Sequence, residues 1–330
     1  MTNSRSPFLS ILVPLDGSDL AAQALPLAAR IARHSGARLR LALVHEHPAV
    51  PADAVAAGTL TAVELSTQKA ERLYLRGVQA RLREDGIPTG SAVTLTGTVG
   101  PALVTYAHDL GIDLVVMATH GRGGISRMWL GSTTDYLVRH LDVPVLVVHP
   151  AAARRTEAPP GAGQILVPLD GSALAEEALA PAVELARVWD AEVRLLRVVG
   201  PIVTADTGYP VSAIYDEDLT AKARASAQAY LDRVILCLHG QGVRATGAAV
   251  IGGGAAETIL ELAHGGPVRM LAIATHGRGG LGRLMLGSVA DKLVRGAEVP
   301  VLVRPAVKHA PEARRAAPVS MSGRKVRQRA

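Results

Sequence analysis

A short glycine-rich motif that occurs twice carries the residues best suited to chemistry. It reads Ala-Thr-His-Gly-Arg-Gly-Gly at positions 118–124 and again at 274–280, and each copy is followed seven residues later by Gly-Ser. Glycine lets a ligand approach the backbone closely, and a helix that starts there presents unpaired N–H groups. Arg122 and Arg278 add cations that suit phosphate oxygens. The motif therefore predicts a phosphate-binding loop, built twice, although it matches neither the P-loop nor the Gly-x-Gly-x-x-Gly fingerprint.

A structural role for the same residues has to be weighed. Ser132 with Asp135, and Ser288 with Asp291, spell a capping box, in which the serine would only start a helix. Capping explains the serines but not the glycines and arginines before them, so phosphate binding is favoured. No carboxylate stands in the loop to orient the histidines at 120 and 276, so a backbone-capping or exposed role is favoured over a general base.

One aspartate follows the first apolar run in each half of the chain. Asp16 and Asp170 both stand in the string Leu-Asp-Gly-Ser. A carboxylate beside phosphates would be repelled, so these residues would meet the neutral end of a nucleotide and accept a hydrogen bond from an adenine amino group or a ribose hydroxyl. Asp-Gly-Ser also favours a turn by itself. Both interpretations stay open on the chemistry alone.

The whole chain is a duplication. Ile-Leu-Val-Pro-Leu-Asp-Gly-Ser begins at residue 11 and again at residue 165 of a chain of 330 residues, a length that suits two domains of roughly 150 residues each. We expect a first domain over 1–150, a linker over 151–163, a second domain over 164–305 and a basic, disordered tail over 306–330.

Short apolar runs alternate with helix-compatible segments in each half, which predicts an α/β fold. Each domain should be a five-stranded, parallel, doubly wound sheet with helices on both faces, and ligands in such sheets bind at the carboxyl ends of strands. Strands are expected at 9–15, 39–44, 92–96, 113–118, 143–148, 164–169, 192–199, 243–250, 268–274 and 299–303. Helices are expected at 20–35, 61–84, 102–110, 132–140, 173–188, 217–240, 255–264 and 288–296.

Composition limits the function classes. The net charge of +6 lies in the tail, where seven basic residues stand against Glu312, so the two domains are neutral and offer no basic face for nucleic acid beyond weak contact through the tail. No apolar run approaches ~18 residues, which argues against a membrane protein. The one cysteine, Cys237, stands in an apolar run and is expected to be buried. These features suit a cytoplasmic protein.

Three strings together resemble the universal stress protein family, in tandem form. They are Val-Pro-Leu-Asp-Gly-Ser, Ala-Thr-His-Gly-Arg-Gly-Gly and Val-Pro-Val-Leu-Val. The ATP-binding branch of that family carries glycine, two residues, glycine, nine residues and then Gly-Ser or Gly-Thr. Here Gly121 and Gly277 stand nine residues before Gly131-Ser132 and Gly287-Ser288. The first glycine of the pattern is replaced by Ala118 and Ala274, and alanine still permits close approach.

The resemblance implies an adenine nucleotide site in each half, with ATP as the ligand, with or without Mg²⁺, on an adenine nucleotide alpha-hydrolase-like fold. The residues implied in the first half are Asp16, Val44, Ala118, Gly121, Arg122, Gly131, Ser132 and Thr133, and in the second half Asp170, Val198, Ala274, Gly277, Arg278, Gly287, Ser288 and Val289. Asp and Val would hold the adenosine, and the glycines and hydroxyls the phosphates. Because Val289 stands where the first half has Thr133, the second site should hold phosphate more weakly.

The resemblance also implies that the fifth strands pair, which would make the chain an internal pseudo-dimer and satisfy two otherwise exposed sheet edges. The expected function is that of an ATP-binding regulator or sensor in a stress response, with no catalytic residue. A slow ATP hydrolase or phosphotransferase is one alternative, and an interaction module without nucleotide is another. The protein partner is unknown, and association of two chains stays open.

Overall fold

The computed structural model describes residues 8–46, 59–119, 131–150, 152, 163–205, 213–275 and 287–305. The predicted tail over 306–330 and most of the predicted linker lie outside these residues. The strands of the first half are β1 (Ser10–Leu15), β2 (Arg38–His45), β3 (Thr89–Thr96), β4 (Leu114–Ala118) and β5 (Val145–Val148). Its helices are α1 (Asp19–Ala22), α2 (Leu25–Ser35), α3 (Thr59–Glu84), α4 (Val99–Asp109) and α5 (Ser132–His140).

The second half repeats this order and adds a hairpin. Its strands are β6 (Gln164–Pro168), β7 (Glu192–Val199), β8 (Val203–Ala205), β9 (Ala213–Tyr215), β10 (Ala245–Ile251), β11 (Val268–Ala274) and β12 (Val301–Arg304). Its helices are α6 (Ala173–Glu176), α7 (Leu179–Trp189), α8 (Glu217–Gly240), α9 (Ala255–His264) and α10 (Ser288–Gly296). The antiparallel hairpin of β8 and β9 lies between the strand predicted at 192–199 and the helix predicted at 217–240, where no strand was expected.

Ten strands form one continuous sheet in the order β10-β7-β6-β11-β12-β5-β4-β1-β2-β3. Within this sheet the strands of each half are parallel to one another, while β5 and β12 pair in antiparallel fashion, with Leu146 opposite Leu302. The predicted α/β fold, with two five-stranded sheets joined through their fifth strands as a pseudo-dimer, is confirmed. The pairing removes the edge that each half would otherwise expose.

The strands in the middle of the sheet bury both of their faces, which explains the uninterrupted apolar runs in the sequence, whereas the edge strands β3 and β10 are only partly buried. In β1, Ile11 and Val13 belong to one core cluster and Leu12 to another, and all three are fully buried. The first cluster packs under α2, α3, α7 and α8, and the second under α4, α5, α9 and α10. Helices therefore cover both faces of the sheet, as a doubly wound fold requires.

The predicted helices over 20–35 and 173–188 are each broken into two pieces. Helix α1 ends at Ala22, four residues before Pro26, and α6 ends at Glu176, five residues before Pro181. Proline has no N–H to donate to the carbonyl four residues earlier, so the chain restarts a separate helix in both places. The prediction of single helices was wrong for this reason.

The prediction for Cys237 was also wrong, because this residue is exposed. The inward face of α8 is set by Ala227, Leu231 and Leu238, whereas Leu236 is 72% exposed. An apolar run on a helix does not identify the buried face, since successive side chains point in different directions. Trp189, the last residue of α7, is buried.

Among the helices that the structure describes, none combines the length and apolar character needed to cross a lipid bilayer.

Candidate functional site

In the first half β1 and β4 are neighbours, with β2 on the far side of β1 and β5 on the far side of β4. The direction in which successive strands are added to the sheet therefore reverses between β1 and β4. The two strands pair directly, with Ile11 opposite Leu114. Their carboxyl ends therefore place Asp16 and Thr119 at the same edge. This is the position where open parallel sheets bind ligands.

Gly131 closes the long glycine-rich segment at this edge. Its N–H donates to the carbonyl oxygen of Thr119 at 3.0 Å, and a Cβ at this position would lie only 2.6 Å from that oxygen. No other residue fits without moving the backbone. Thr119 and Gly131, the residues on either side of 120–130, are thus bonded to each other at the end of β4.

Four predicted site residues lie outside the described part of the chain. They are Gly121, Arg122, Gly277 and Arg278. The histidines at 120 and 276 lie outside it as well.

The helix that follows Gly131 does not use the predicted capping box. Gly131 itself is the N-cap, with extended-type ψ of 143°, and it makes no side-chain cap hydrogen bond. Ser132 is the first helical residue and is exposed, while Asp135 binds Arg139 through both carboxylate oxygens at 2.7 and 2.9 Å. Capping is therefore the wrong explanation for Ser132. Its hydroxyl lies at the amino end of α5, beside the unpaired N–H groups of the first turn.

The second half repeats this arrangement. Gly287 is the N-cap of α10 and makes no side-chain cap hydrogen bond, Ser288 is exposed, and Asp291 binds Arg295 at 2.8 Å. Val289 is 39% exposed at the position that corresponds to the half-buried Thr133.

Thr134 is a site residue that sequence reasoning missed. It is buried, and its hydroxyl donates to the carbonyl oxygen of Ala118 at 3.4 Å, which ties the first turn of α5 to the end of β4. The second half has Ala290 there, so this bond exists in one half only. A threonine on the apolar face of a predicted helix was the available signal.

Asp16 and Asp170 each form the turn that their sequence favours. Oδ1 of Asp16 accepts hydrogen bonds from the backbone N–H and the hydroxyl of Ser18, at 2.9 and 2.6 Å. Oδ1 of Asp170 accepts from the backbone N–H of Ser172 at 2.9 Å. The turn interpretation is thus confirmed for one oxygen of each carboxylate, while a role toward a ligand stays a prediction.

The remaining predicted residues lie at the carboxyl ends of their strands. Val44 and Val198 are half-buried near the ends of β2 and β7. Ala118, 8% exposed, and the half-buried Ala274 are the last residues of β4 and β11. The described residues of each predicted site therefore lie at one edge of the sheet, although some of them are more than a hundred positions apart in the sequence.

Helix α3 brings further polar groups to the carboxyl end of β2. His45 is 4% exposed, and its Nδ1 lies 3.0 Å from Oε2 of Glu71. Glu64 lies 3.8 Å from the other ring nitrogen. The second half has Val199, Ala227 and Thr220 at the corresponding positions, so this cluster belongs to the first half alone.

Tyr74 lies one turn further along α3. Its hydroxyl is buried and has no hydrogen-bond partner among the described residues. Burial raises the pKa of the phenol, and the negative charge of Asp16 raises it further.

The second half has a different set of groups around the corresponding tyrosine. The hydroxyl of Tyr230 donates to Oε1 of Glu176 at 2.6 Å, and the guanidinium of Arg197 lies 5.2 Å from the ring centre. Burial is the main cause of a raised pKa for Tyr230, followed by the hydrogen bond to Glu176. The positive charge of Arg197 acts in the opposite direction.

Within the described ranges, no group of three or more His, Cys, Asp or Glu side chains is arranged to hold a metal ion.

The two halves also interact through charged side chains of α5 and α10. The pKa of Arg295 in α10 is raised, first by its hydrogen bond to Asp291 and also by the charge of Asp135 in α5. The helices that begin at the two Gly-Ser pairs therefore carry interacting charges. On the other face of the sheet, the guanidinium of Arg30 in α2 lies 5.7 Å from the ring of Trp189 in α7.

Both halves of the chain match the same family of known proteins. The model of the universal stress protein family matches residues 7–149 and again residues 162–305. Universal stress protein Rv2005c of Mycobacterium tuberculosis is 28% identical over 211 residues, and this match covers 62% of the chain and 64% of the relative, so the chain spans less than two thirds of that protein. Universal stress protein Rv1996 of the same organism is 27% identical over 322 residues, with 89% and 94% covered.

Solved structures show the same fold. Protein PA1789 of Pseudomonas aeruginosa, described as functionally unknown, aligns with a TM-score of 0.63 at 17% identity, covering 92% of this chain and 95% of that one. A universal stress protein from Archaeoglobus fulgidus aligns with a TM-score of 0.63 at 17% identity, covering 91% and 99%. At these identities the likeness concerns the fold alone.

Proposed function

Because the chain belongs to the universal stress protein family, we propose that each half binds ATP at the carboxyl edge of its sheet and that the bound nucleotide serves a regulatory or sensing role. The observation that carries this proposal is the geometry at Gly131. Gly131, which has no room for a side chain, ends the loop. Ser132 is the first residue of the helix, and its exposed hydroxyl does not cap that helix. Such a helix start binds anions through its N–H groups and its dipole.

The phosphates would lie at this helix start in each half. Gly131, Ser132 and Thr133 would hold them in the first site, and Gly287 and Ser288 in the second. The glycines at 121 and 277 and the arginines at 122 and 278 would complete the loops, and Ala118 and Ala274 would let the ligand pass close to the strand ends. Val289 offers no hydroxyl, so the second site should bind phosphate more weakly.

The adenosine would lie at the ends of the first and second strands of each half. Asp16 and Val44 would hold it in the first site, and Asp170 and Val198 in the second. The turn with Ser18 fixes the Asp16 carboxylate at the strand end. A carboxylate held there suits a hydrogen bond from a ribose hydroxyl or an adenine amino group, at a distance from the phosphates that it would repel.

A regulatory role is favoured because the phosphate end is built from backbone N–H groups and hydroxyls in the part of the chain that the structure describes. These groups bind oxygen atoms but do not remove a proton from an attacking water. We further propose domains over 1–150 and 164–305 with a linker over 151–163 and a basic tail over 306–330, a cytoplasmic location, and a protein partner that responds to the bound nucleotide.

The test is to denature freshly purified protein, count the released nucleotide, and repeat this with the variant Gly131→Ala/Gly287→Ala. We expect about two ATP per chain from the native protein and little from the variant, because the added methyl group blocks the helix start. Gly77→Ala is the matched control, since a Cβ there meets nothing within 4 Å. Release of equal nucleotide from both variants would contradict the site.

Incubation with labelled ATP separates the remaining functions. Bound ATP that persists supports the regulatory role, whereas ADP formation that the double variant abolishes would establish a slow hydrolase. A protein that neither contains nor binds nucleotide would be an interaction module, and the proposal would fail.

A further inference from the structure

The two proposed sites differ at the adenosine end. The second half carries Glu176 and Arg197 at the positions where the first half has Ala22 and Leu43, while a tyrosine is present in both, as Tyr230 and Tyr74. A charged pair has thus replaced two aliphatic side chains around a common aromatic ring.

The arginine is held in a fixed position. Its guanidinium lies 5.2 Å from the centre of the Tyr230 ring, and the hydroxyl of that ring is bound to Glu176 at 2.6 Å. A cation over the face of an aromatic ring is attracted to it, and guanidinium groups commonly take this position. Glu176 orients the ring, and the ring in turn supports Arg197.

The guanidinium rests against the turn that contains Asp170. An added Cβ on Gly171 would lie 2.9 Å from Nη1 of Arg197, and Gly171 has a φ of +87°. Asp170 is the residue directly before Gly171, so its backbone belongs to the same turn. A fixed cation therefore stands beside the carboxylate that would meet the adenosine.

This cation changes which ligands the site can accept. In the first half, an anionic group brought next to Asp16 would be repelled, and the aliphatic Leu43 offers it no compensation. In the second half, Arg197 can bind such a group through two parallel N–H donors. An adenosine moiety has two places for an additional phosphate that would lie at this end, the 2′ and 3′ hydroxyls of the ribose.

We propose that Arg197 makes the second site selective for adenine nucleotides that carry a phosphate on the ribose 2′ or 3′ hydroxyl, while the first site prefers an unmodified ribose. This inference rests on the proposed nucleotide function and assigns different ligands to the two halves.

The experiment uses two full-length proteins with one intact site each. Ser132→Asp places a carboxylate at the first phosphate site and leaves the second, and Ser288→Asp does the reverse. Labelled ATP is bound to each protein and displaced with adenosine 5′-monophosphate, adenosine 2′,5′-bisphosphate or adenosine 3′,5′-bisphosphate. We expect one of the bisphosphates to displace ATP from the second site at a concentration at least about 10-fold lower than the monophosphate does, as a charge-assisted pair with arginine implies. The first site should show the reverse order.

Arg197→Gln in the Ser132→Asp protein identifies the residue responsible. We expect the preference for a bisphosphate to fall to near equality, and Arg197→Lys to retain part of it, because lysine keeps the charge but not the planar donors. Thermal unfolding of each variant checks its fold. The comparison of the two single-site proteins requires no change at Arg197, so it tests the inference even where Arg197→Gln does not fold.

Equal preference at the two sites would overturn the inference, as would a preference that survives Arg197→Gln. Loss of ATP itself in Arg197→Gln would show that Arg197 binds without discriminating, which also overturns it. Absence of ATP binding to the Ser132→Asp protein would overturn the proposed function of the second site together with this inference, and ATP binding separates that result from the others.

Discussion

The substitution Ser132→Asp separates binding at the amino end of α5 from a purely structural role. Ser132 is exposed and is the first residue of the helix, and the N-cap before it makes no side-chain hydrogen bond. A carboxylate in the first turn of a helix interacts favourably with the helix dipole. For stability alone we therefore expect a gain of about 0.3–1 kcal/mol.

The same carboxylate should strongly weaken ATP binding. If the phosphates lie against this helix start, the added charge stands roughly 4 Å from a phosphate charge, and the repulsion amounts to about 1 kcal/mol in bulk water and about 4 kcal/mol at an effective dielectric constant of ~20. These energies correspond to a loss of affinity between about 5-fold and about 1000-fold. Stability and affinity should therefore move in opposite directions.

The assay is a calorimetric titration with ATP together with urea unfolding of the nucleotide-free protein. Ser132→Asn is the matched control, since it changes the side chain to a similar size without adding charge. The variant is made in the Ser288→Asp background, so that only the first site is titrated. Equal ATP affinity of the aspartate and asparagine variants would refute the phosphate assignment, whatever the change in stability.

Three further predictions concern stability. His45→Val, which introduces the residue of the second half, should destabilise by about 1–3 kcal/mol because Glu71, only 10% exposed, loses its partner; urea unfolding should show recovery in His45→Val/Glu71→Ala, and additive losses would contradict the pair. Leu146→Ala should cost about 2–5 kcal/mol, because this fully buried side chain lies where the two halves pair, and a smaller loss by the same method would show that the junction relaxes. The raised pKa of Tyr230 means that the unfolded phenol ionises first, so stability should fall as the pH rises above about 10. In Glu176→Gln that decline should be shallower, and an unchanged slope would remove Glu176 as a cause.

Much of the fold follows from local sequence. Uninterrupted apolar runs such as Ile11-Leu12-Val13 predict strands buried on both faces, and their alternation with helical segments predicts the parallel sheet. The errors in the secondary-structure prediction also have local causes. Pro26 and Pro181 end helices by removing a donor, and the hairpin of β8 and β9 falls in a stretch without clear periodicity.

The candidate site was predicted in its residue types but not in its contacts. The sequence indicated Gly131 and Ser132 through their repetition, and it favoured phosphate binding over helix capping as the role of the serine. The structure rules out the capping explanation because the N-cap is Gly131 and Asp135 is bound to Arg139, and phosphate binding stays a proposal. Thr134 could not be assigned from sequence, since its partner is a carbonyl at the end of a distant strand.

The sequence by itself determined the duplication, the α/β class, the family resemblance and the glycine-serine positions, because each of these depends on local patterns or on internal repetition. Only the tertiary structure decided which side chains meet. Arg197 and Tyr230 are 33 positions apart in the chain, and their contact exists because α8 packs against β7 on one face of the sheet. Residue types and spacing predict which chemistry is available, whereas the difference between the two halves depends on contacts between elements that packing alone brings together.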